Sequence, residues 1–140
     1  MQEKILHGQR KNPAKNELIG GHSPDINNNN PNYAVEVLQT NIDGTQKVKF
    51  VTQYPDGNLS NIKTSTLFPE SWSNSDIIES IQIVGNTTPI GVRASDGANL
   101  YRGVVNGVQV EVIKIGDVVT SGYPTGGMKT GLLPGFSGMD

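Results

Sequence analysis

The chain has 140 residues, enough for one domain with a modest core, and 34% of them are hydrophobic. It carries no cysteine, which excludes disulfides and thiolate chemistry. Its 11 basic and 13 acidic residues give a formal net charge of −2, which argues against broad nucleic-acid binding through many phosphate contacts. The 17 glycines and 8 prolines predict a turn-rich, mostly β domain. No apolar stretch approaches the ~20 residues of a membrane span. The N-terminus lacks the basic segment and apolar core of a signal peptide.

In chain order, residues 2–7 read as a short helical turn. Lys4, Arg10, Lys11 and Lys15 crowd the first 15 residues, either as a solvated terminus or as a local basic patch. Residues 8–32 read as an irregular loop of Lys, Asn, Pro and Gly, with a low-complexity run at Asn27 to Asn30. Residues 33–40 and 46–54 read as a hairpin around the Asp43-Gly44 turn, and Pro55-Asp56-Gly57 turns the chain again. A helix is predicted within 70–85: Ser73 is the N-cap, Asp76 closes a capping box, and Trp72 with Ile77 forms a hydrophobic staple. Ile77, Ile78, Ile81 and Val84 make one apolar stripe, which Gly85 ends. Residues 100–105 and 108–115 flank Asn106-Gly107, the strongest short hairpin signal, and 118–123 follows as a third strand. Residues 126–140 read as a Gly-rich tail, either on the surface or partly disordered, beyond a domain of residues 1–125.

The only two histidines, His7 and His22, each sit beside glycine. Imidazole has an ordinary pKa of ~6.5, so one neutral and one protonated ring can act together as base and acid. Taken singly, each reads equally as a loop histidine. The two lie 15 residues apart with no cysteine or clustered carboxylates beside them, which makes no zinc or iron site. Neither a metal nor another cofactor is expected.

Four local signals stand in order: Ile5-Leu6-His7-Gly8, Gly20-Gly21-His22, the run from Lys63 through Phe68-Pro69 to Trp72-Ser73, and Ser121-Gly122-Tyr123-Pro124. In this order and spacing, over roughly residues 4 to 125, the chain resembles the bacterial EndoU ribonuclease domain. In that family a histidine follows an Ile-Leu-type pair and a second closes a Gly-Gly-His segment. A lysine precedes a Ser/Thr-x-Phe-Pro-x-x-Trp-Ser motif, and the domain closes on a Thr/Ser-x-Tyr-Pro strand.

The resemblance implies an α+β fold of the EndoU/barnase-like ribonuclease kind. Small N-terminal helices and antiparallel sheets would form a central cleft. It implies a metal-independent endoribonuclease in which the ribose 2′-OH attacks the phosphate, leaving a 2′,3′-cyclic phosphate and a 5′-OH. His7 and His22 would supply acid and base, and the residues do not decide which does which. His22 is taken as base and His7 as acid. Lys63 would stabilise the phosphate charge, with Lys47 and Lys49 as alternatives because the 23–62 segment is longer than in compact members. Ser121 and Tyr123 would bind base and sugar. Thr120 is adjacent where many members carry threonine, and either hydroxyl can fill the role.

Such domains typically form the C-terminal toxic tip of large secreted or cell-surface proteins, including contact-dependent inhibition systems. They act in the cytoplasm of a target bacterium and are neutralised by a cognate immunity protein. The slightly acidic balance points to one structured RNA, tRNA with its exposed anticodon loop, over RNA in general. The alternative from another class is a non-enzymatic β-rich binding or adhesion module of a large surface protein.

Overall fold

The computed structural model describes residues 2–139. The chain order is α1 (Gln2–His7), β1 (Gln9–Arg10), β2 (Leu18–Ile19), β3 (Tyr33–Thr40), β4 (Gln46–Thr52), β5 (Lys63–Leu67), α2 (Asn74–Gly85), β6 (Gly91–Arg93), β7 (Asn99–Val105), β8 (Val108–Ile115), β9 (Val118–Pro124) and β10 (Phe136–Gly138). The fold is α+β, with two short helices and entirely antiparallel sheets, as expected. A three-stranded sheet, β3-β4-β5, stands beside a five-stranded sheet, β10-β6-β7-β8-β9.

Side-chain alternation divides the larger sheet into two faces. Tyr101, Val108, Val110 and Val112 turn one way and pack with Ile77, Ile81 and Val84 of α2 and with Ile5 and Leu6 of α1. The sheet accepts α2 this closely because two strand positions lack a side chain. A Cβ on Gly122 would stand 2.7 Å from Ile81 Cδ1, and one on Gly103 would stand 3.3 Å from Val84 Cγ2. The opposite face carries Leu100, Ile113 and Tyr123, packed with Leu132, Leu133 and Phe136. The smaller sheet has its own core, in which Val48, Phe50 and Leu67 enclose Leu18 and Ile26.

The capping box forms as the sequence predicts: Ser73 Oγ accepts from the Asp76 N–H, and Asp76 Oδ2 accepts from the Ser73 N–H. Asn106 (φ 49°) and Gly107 (φ 80°) take the two positive-φ positions of a primed hairpin turn between β7 and β8.

Several expectations are corrected. The 8–32 segment is not wholly irregular, since β1 pairs with β2, a ladder too short to leave a periodic pattern. Lys63–Leu67 is a strand that the sequence reading missed. Its apolar content is low, and only Ser65 and Leu67 turn inward, held by pairing to β4. Gly85 does not end α2 in a left-handed conformation. It is the last helical residue, Asn86 is the C-cap, and the Gly85 carbonyl accepts from Lys114 Nζ at 3.0 Å. The tail is not loose: β10 pairs with β6, and Arg102 Nη2 donates to the Gly131 carbonyl.

Candidate active site

A pocket of about 350 Å³ opens between the two sheets. Its volume falls within the ~300–1,000 Å³ of small-ligand sites. Lys4 and Ile5 of α1, Ile19 and Gly20, His22, Lys63 of β5, and Ser121 and Tyr123 of β9 line it. Residues far apart in sequence thus meet because β5 and β9 are the facing edges of their sheets and α1 lies across the gap.

The glycines before His22 have a physical cause. Gly20 and Gly21 both hold left-handed φ, 77° and 85°. A Cβ on Gly20 would stand 1.9 Å from the Lys4 carbonyl oxygen, and one on Gly21 2.7 Å from Phe50 Cζ. Freed of side chains, the loop hydrogen-bonds along the end of α1. Gly21 N–H donates to the Lys4 carbonyl at 3.0 Å, His22 N–H to that of Ile5 at 2.8 Å, and Ser23 N–H to that of Leu6 at 2.9 Å. The Phe68 N–H then donates to the His22 carbonyl, tying the loop to the chain after β5.

His22 is held in one tautomer. Its Nδ1 lies 2.9 Å from the Thr66 carbonyl, which only accepts, so Nδ1 carries the proton. Ser65 Oγ, also 2.9 Å from Nδ1, gives its own hydrogen to the Gly21 carbonyl at 2.7 Å. The lone pair therefore sits on Nε2. Burial, reinforced by the positive charge of Lys63, pushes the imidazole pKa down to about 4. At neutral pH the ring is an uncharged base. The ring of Tyr123 stands beside it, centroids 5.8 Å apart.

Tyr123 presents its ring and not its hydroxyl. The phenol oxygen is buried, as is Glu111 Oε1, and neither has a hydrogen-bond partner of good geometry among the described residues. Glu111 and Tyr123 are opposed residues of β8 and β9, and Arg102 is opposed to Glu111 on β7. Arg102 Nε donates to Glu111 Oε2 at 2.8 Å, so an ion pair links β7 to β8 in the row that ends on Tyr123. Burial first, then the Glu111 carboxylate, pushes the phenol pKa up. The sequence hint for this row is the one acid of β8, Glu111, which falls among its buried residues.

Lys63 is half-buried, and burial lowers its pKa, with Lys4 adding in the same direction against Glu17. Lys47 and Lys49, the alternatives, sit on β4 and do not line this pocket. Ser121 lines it; Thr120 instead turns its carbonyl to Lys4 Nζ at 2.6 Å and its hydroxyl to the Ile113 carbonyl.

His7 is not among the lining residues. Its Nδ1 lies 2.8 Å from Glu3 Oε1 and its Nε2 2.9 Å from Asp25 Oδ2. Carboxylates accept, so the two contacts favour the form of the ring with a proton on each nitrogen. Burial lowers the His7 pKa, but the two carboxylates outweigh it and the net shift is upward. Asn74 Nδ2 donates to the same Asp25 oxygen at 2.8 Å, which clamps α1, the loop after His22 and the start of α2 together. Lys4, which the site motifs do not include, does line the pocket. Sequence reasoning counted Lys4 only within a basic cluster, and no local pattern marks it.

A family model described as bacterial EndoU nuclease matches residues 1–126. The chain belongs to that family. No curated protein and no solved structure matches it. The EndoU domain is thus a nuclease with a cleft between two antiparallel sheets. A larger groove of about 590 Å³ lies away from the cleft, between residues 39–43 and the Gly126–Met128 turn. Asp43 is its only ionisable side chain, so it offers no cation to a phosphate. Among the described residues no three His, Asp or Glu side chains converge as a metal-ligand set, and no helix is long and apolar enough to cross a membrane.

Proposed function

We propose that this EndoU domain is an endoribonuclease that cleaves RNA by 2′-OH transesterification, with His22 as general base. The observation that carries the reading is the His22 ring: Nδ1–H is fixed on a carbonyl while the bare Nε2 has no partner among the described residues, beside two lysines. RNA brings its own nucleophile, so such a site needs only a base, a proton donor and positive charge at the phosphate. Lys63 stabilises the charge of the phosphorane. Ser121 binds the sugar or phosphate, and the exposed face of Tyr123 stacks on a base. The protein supplies the charge itself, and the reaction proceeds without a metal cofactor.

The substrate is tRNA, read at its anticodon loop. A chain with a net charge of −2 gains little from general phosphate attraction and depends on focused contacts. The domain acts as the toxic part of a larger secreted or cell-surface protein, in the cytoplasm of a target bacterium. A cognate immunity protein covers the cleft with an acidic surface facing Lys4 and Lys63.

The test is incubation of the domain with total tRNA in EDTA, beside a His22→Ala variant. Discrete fragments ending in 2′,3′-cyclic phosphate, made by the wild type alone, are expected. Intact tRNA with degraded ribosomal RNA would refute the tRNA assignment. No cleavage of any RNA would refute the activity.

A further inference from the structure

The face of the larger sheet that brings Ser121 and Tyr123 to the pocket also carries a row of charge. Arg102, Glu111 and Tyr123 stand opposite one another on β7, β8 and β9. Neighbouring strands lie about 4.8 Å apart, so the row steps from the central strand to the edge strand at the site. Glu111 is fully buried, and Arg102 is nearly so, at 12% exposure. Stability alone is a weak reason for a buried ion pair, because desolvation offsets the attraction. This one stands directly beside a residue of the cleft.

The two carboxylate oxygens of Glu111 have different surroundings. Oε2 accepts from Arg102 Nε and Nη2. Oε1 is buried and has no partner among the described residues. The Tyr123 hydroxyl, on the opposed residue, is buried and unpartnered too. Opposed side chains of an antiparallel pair have Cβ atoms ~4.5–5.5 Å apart. A small side-chain rotation therefore brings this donor onto this acceptor, and burial makes leaving both unpaired costly. Beyond Arg102 the row continues into the C-terminal segment, where Arg102 Nη2 also donates to the Gly131 carbonyl. Beside it, the Lys129 N–H donates to Gln109 Oε1, and the Lys129 carbonyl accepts from Gln109 Nε2. Leu132, Leu133 and Phe136 pack on the same buried Leu100 and Ile113 as Tyr123 does. These residues lie beyond 1–126, the part that matches the family model.

We propose that Glu111 is a positioning residue of the RNA site: its Oε1 accepts from the Tyr123 hydroxyl and sets the plane of the ring that stacks on a substrate base. The proposal rests on the RNA-cleaving reading above. Arg102 holds the carboxylate in place, and the 129–136 segment holds Arg102. The hydroxyl is then an anchor within the protein, and the ring is the part that meets RNA. What the anchor fixes is the tilt of this ring against His22, 42° with centroids 5.8 Å apart. The 129–136 segment thereby belongs to the nuclease, although it supplies no group to the pocket.

The experiment measures kcat and KM for RNA cleavage, with a thermal melt of each protein. It compares wild type, Tyr123→Ala, Tyr123→Phe, Glu111→Gln, Arg102→Lys and the Tyr123→Phe/Glu111→Gln double variant. Tyr123→Ala is expected to raise KM by ~5–150-fold, the worth of one base stacked on an aromatic ring. Tyr123→Phe and Glu111→Gln are each expected to raise KM by about tenfold with kcat kept, because stacking holds the base before and during reaction. The double variant is expected to match the single ones, since both break one bond. Arg102→Lys loses the fork that reaches Glu111 and Gly131 at once, and is expected to raise KM in the same way. A carboxylate that only supports the fold would lower kcat with the folded fraction and leave KM alone. Should Glu111→Gln unfold, Glu111→Asp replaces it, since the shorter chain keeps a charge for Arg102 and withdraws it from the phenol. The proposal is overturned if the folded Glu111 variant or Arg102→Lys keeps the wild-type KM, or if the two effects multiply in the double variant. Absence of cleavage by the wild type would instead refute the RNA-cleaving reading itself.

Discussion

His7 and His22 lie within one small region, both tied to α1, and their surroundings are opposite. His7 is clasped by two carboxylates, which favour its protonated form. His22 is half-buried against a carbonyl, near a lysine charge, and kept neutral. The hydrogen bonds of the first ring tie α1 to the loop after His22. A ring with one nitrogen pinned and the other bare is a base with its tautomer already chosen. Position beside a glycine does not separate the two cases. The partners of each nitrogen do.

The largest expected effect falls on activity. His22→Ala should lower RNA cleavage by ~10²–10⁴-fold, measured as the initial rate of fragment appearance on tRNA. A variant that melts normally and cleaves normally would erase the distinction between the two rings.

Next comes Gly20→Ala, which changes no chemical group in the pocket. The added Cβ meets the Lys4 carbonyl oxygen at 1.9 Å, at a φ of 77°. It should cost more than about 1 kcal/mol in urea unfolding and should reduce cleavage by displacing His22. Loss of cleavage that exceeds the loss of stability would show that the strap sets the base's position.

A third test sharpens the contrast through pH. The His7 pKa is raised, so its contribution is complete below the unfolded value of 6.5 and disappears as pH rises through the folded value. The His22 pKa is lowered to about 4, so the native state loses stability as pH falls from 6.5 toward that value. His7→Gln should therefore be most destabilising in mild acid and nearly silent at alkaline pH. His22→Gln should be most destabilising above neutrality, and its deficit should shrink in acid. Melting midpoints across that window check both. Parallel curves for the two variants would contradict the assigned protonation states.

The smallest effect belongs to the exposed side of the clamp. Asp25 is half exposed, and Asp25→Ala should cost no more than about 1 kcal/mol at neutral pH. It should also remove the Asp25 share of the acid-side stabilisation from His7, leaving that of Glu3. Calorimetry at two pH values suffices.

The hairpins and α2 were legible because their signals are local. Ser73 and Asp76 cap the helix within one turn, and Asn106-Gly107 meets a positive-φ requirement that few other pairs satisfy. β5 was not legible, because a Lys-Thr-Ser-Thr-Leu run becomes a strand only when β4 lies beside it. The tail was misread for a similar reason. Phe136 finds its place against β6 and Arg93, a contact between distant residues. At the candidate site, His22, Lys63, Ser121 and Tyr123 stood out through their motifs. Lys4 had no motif of its own and reaches the pocket through a bulge at Thr120 on another sheet.

The amino-acid order by itself thus determined the fold class, the family and most of the pocket's side chains. Turn chemistry, caps and strand alternation are short-range, and the site motifs are contiguous. Only the tertiary structure decided which histidine faces the pocket, because that depends on which acceptors reach each ring nitrogen. Those acceptors, Glu3 and Asp25 for one ring and the Thr66 carbonyl for the other, lie as far as 44 residues away and converge only when both sheets and α1 have packed.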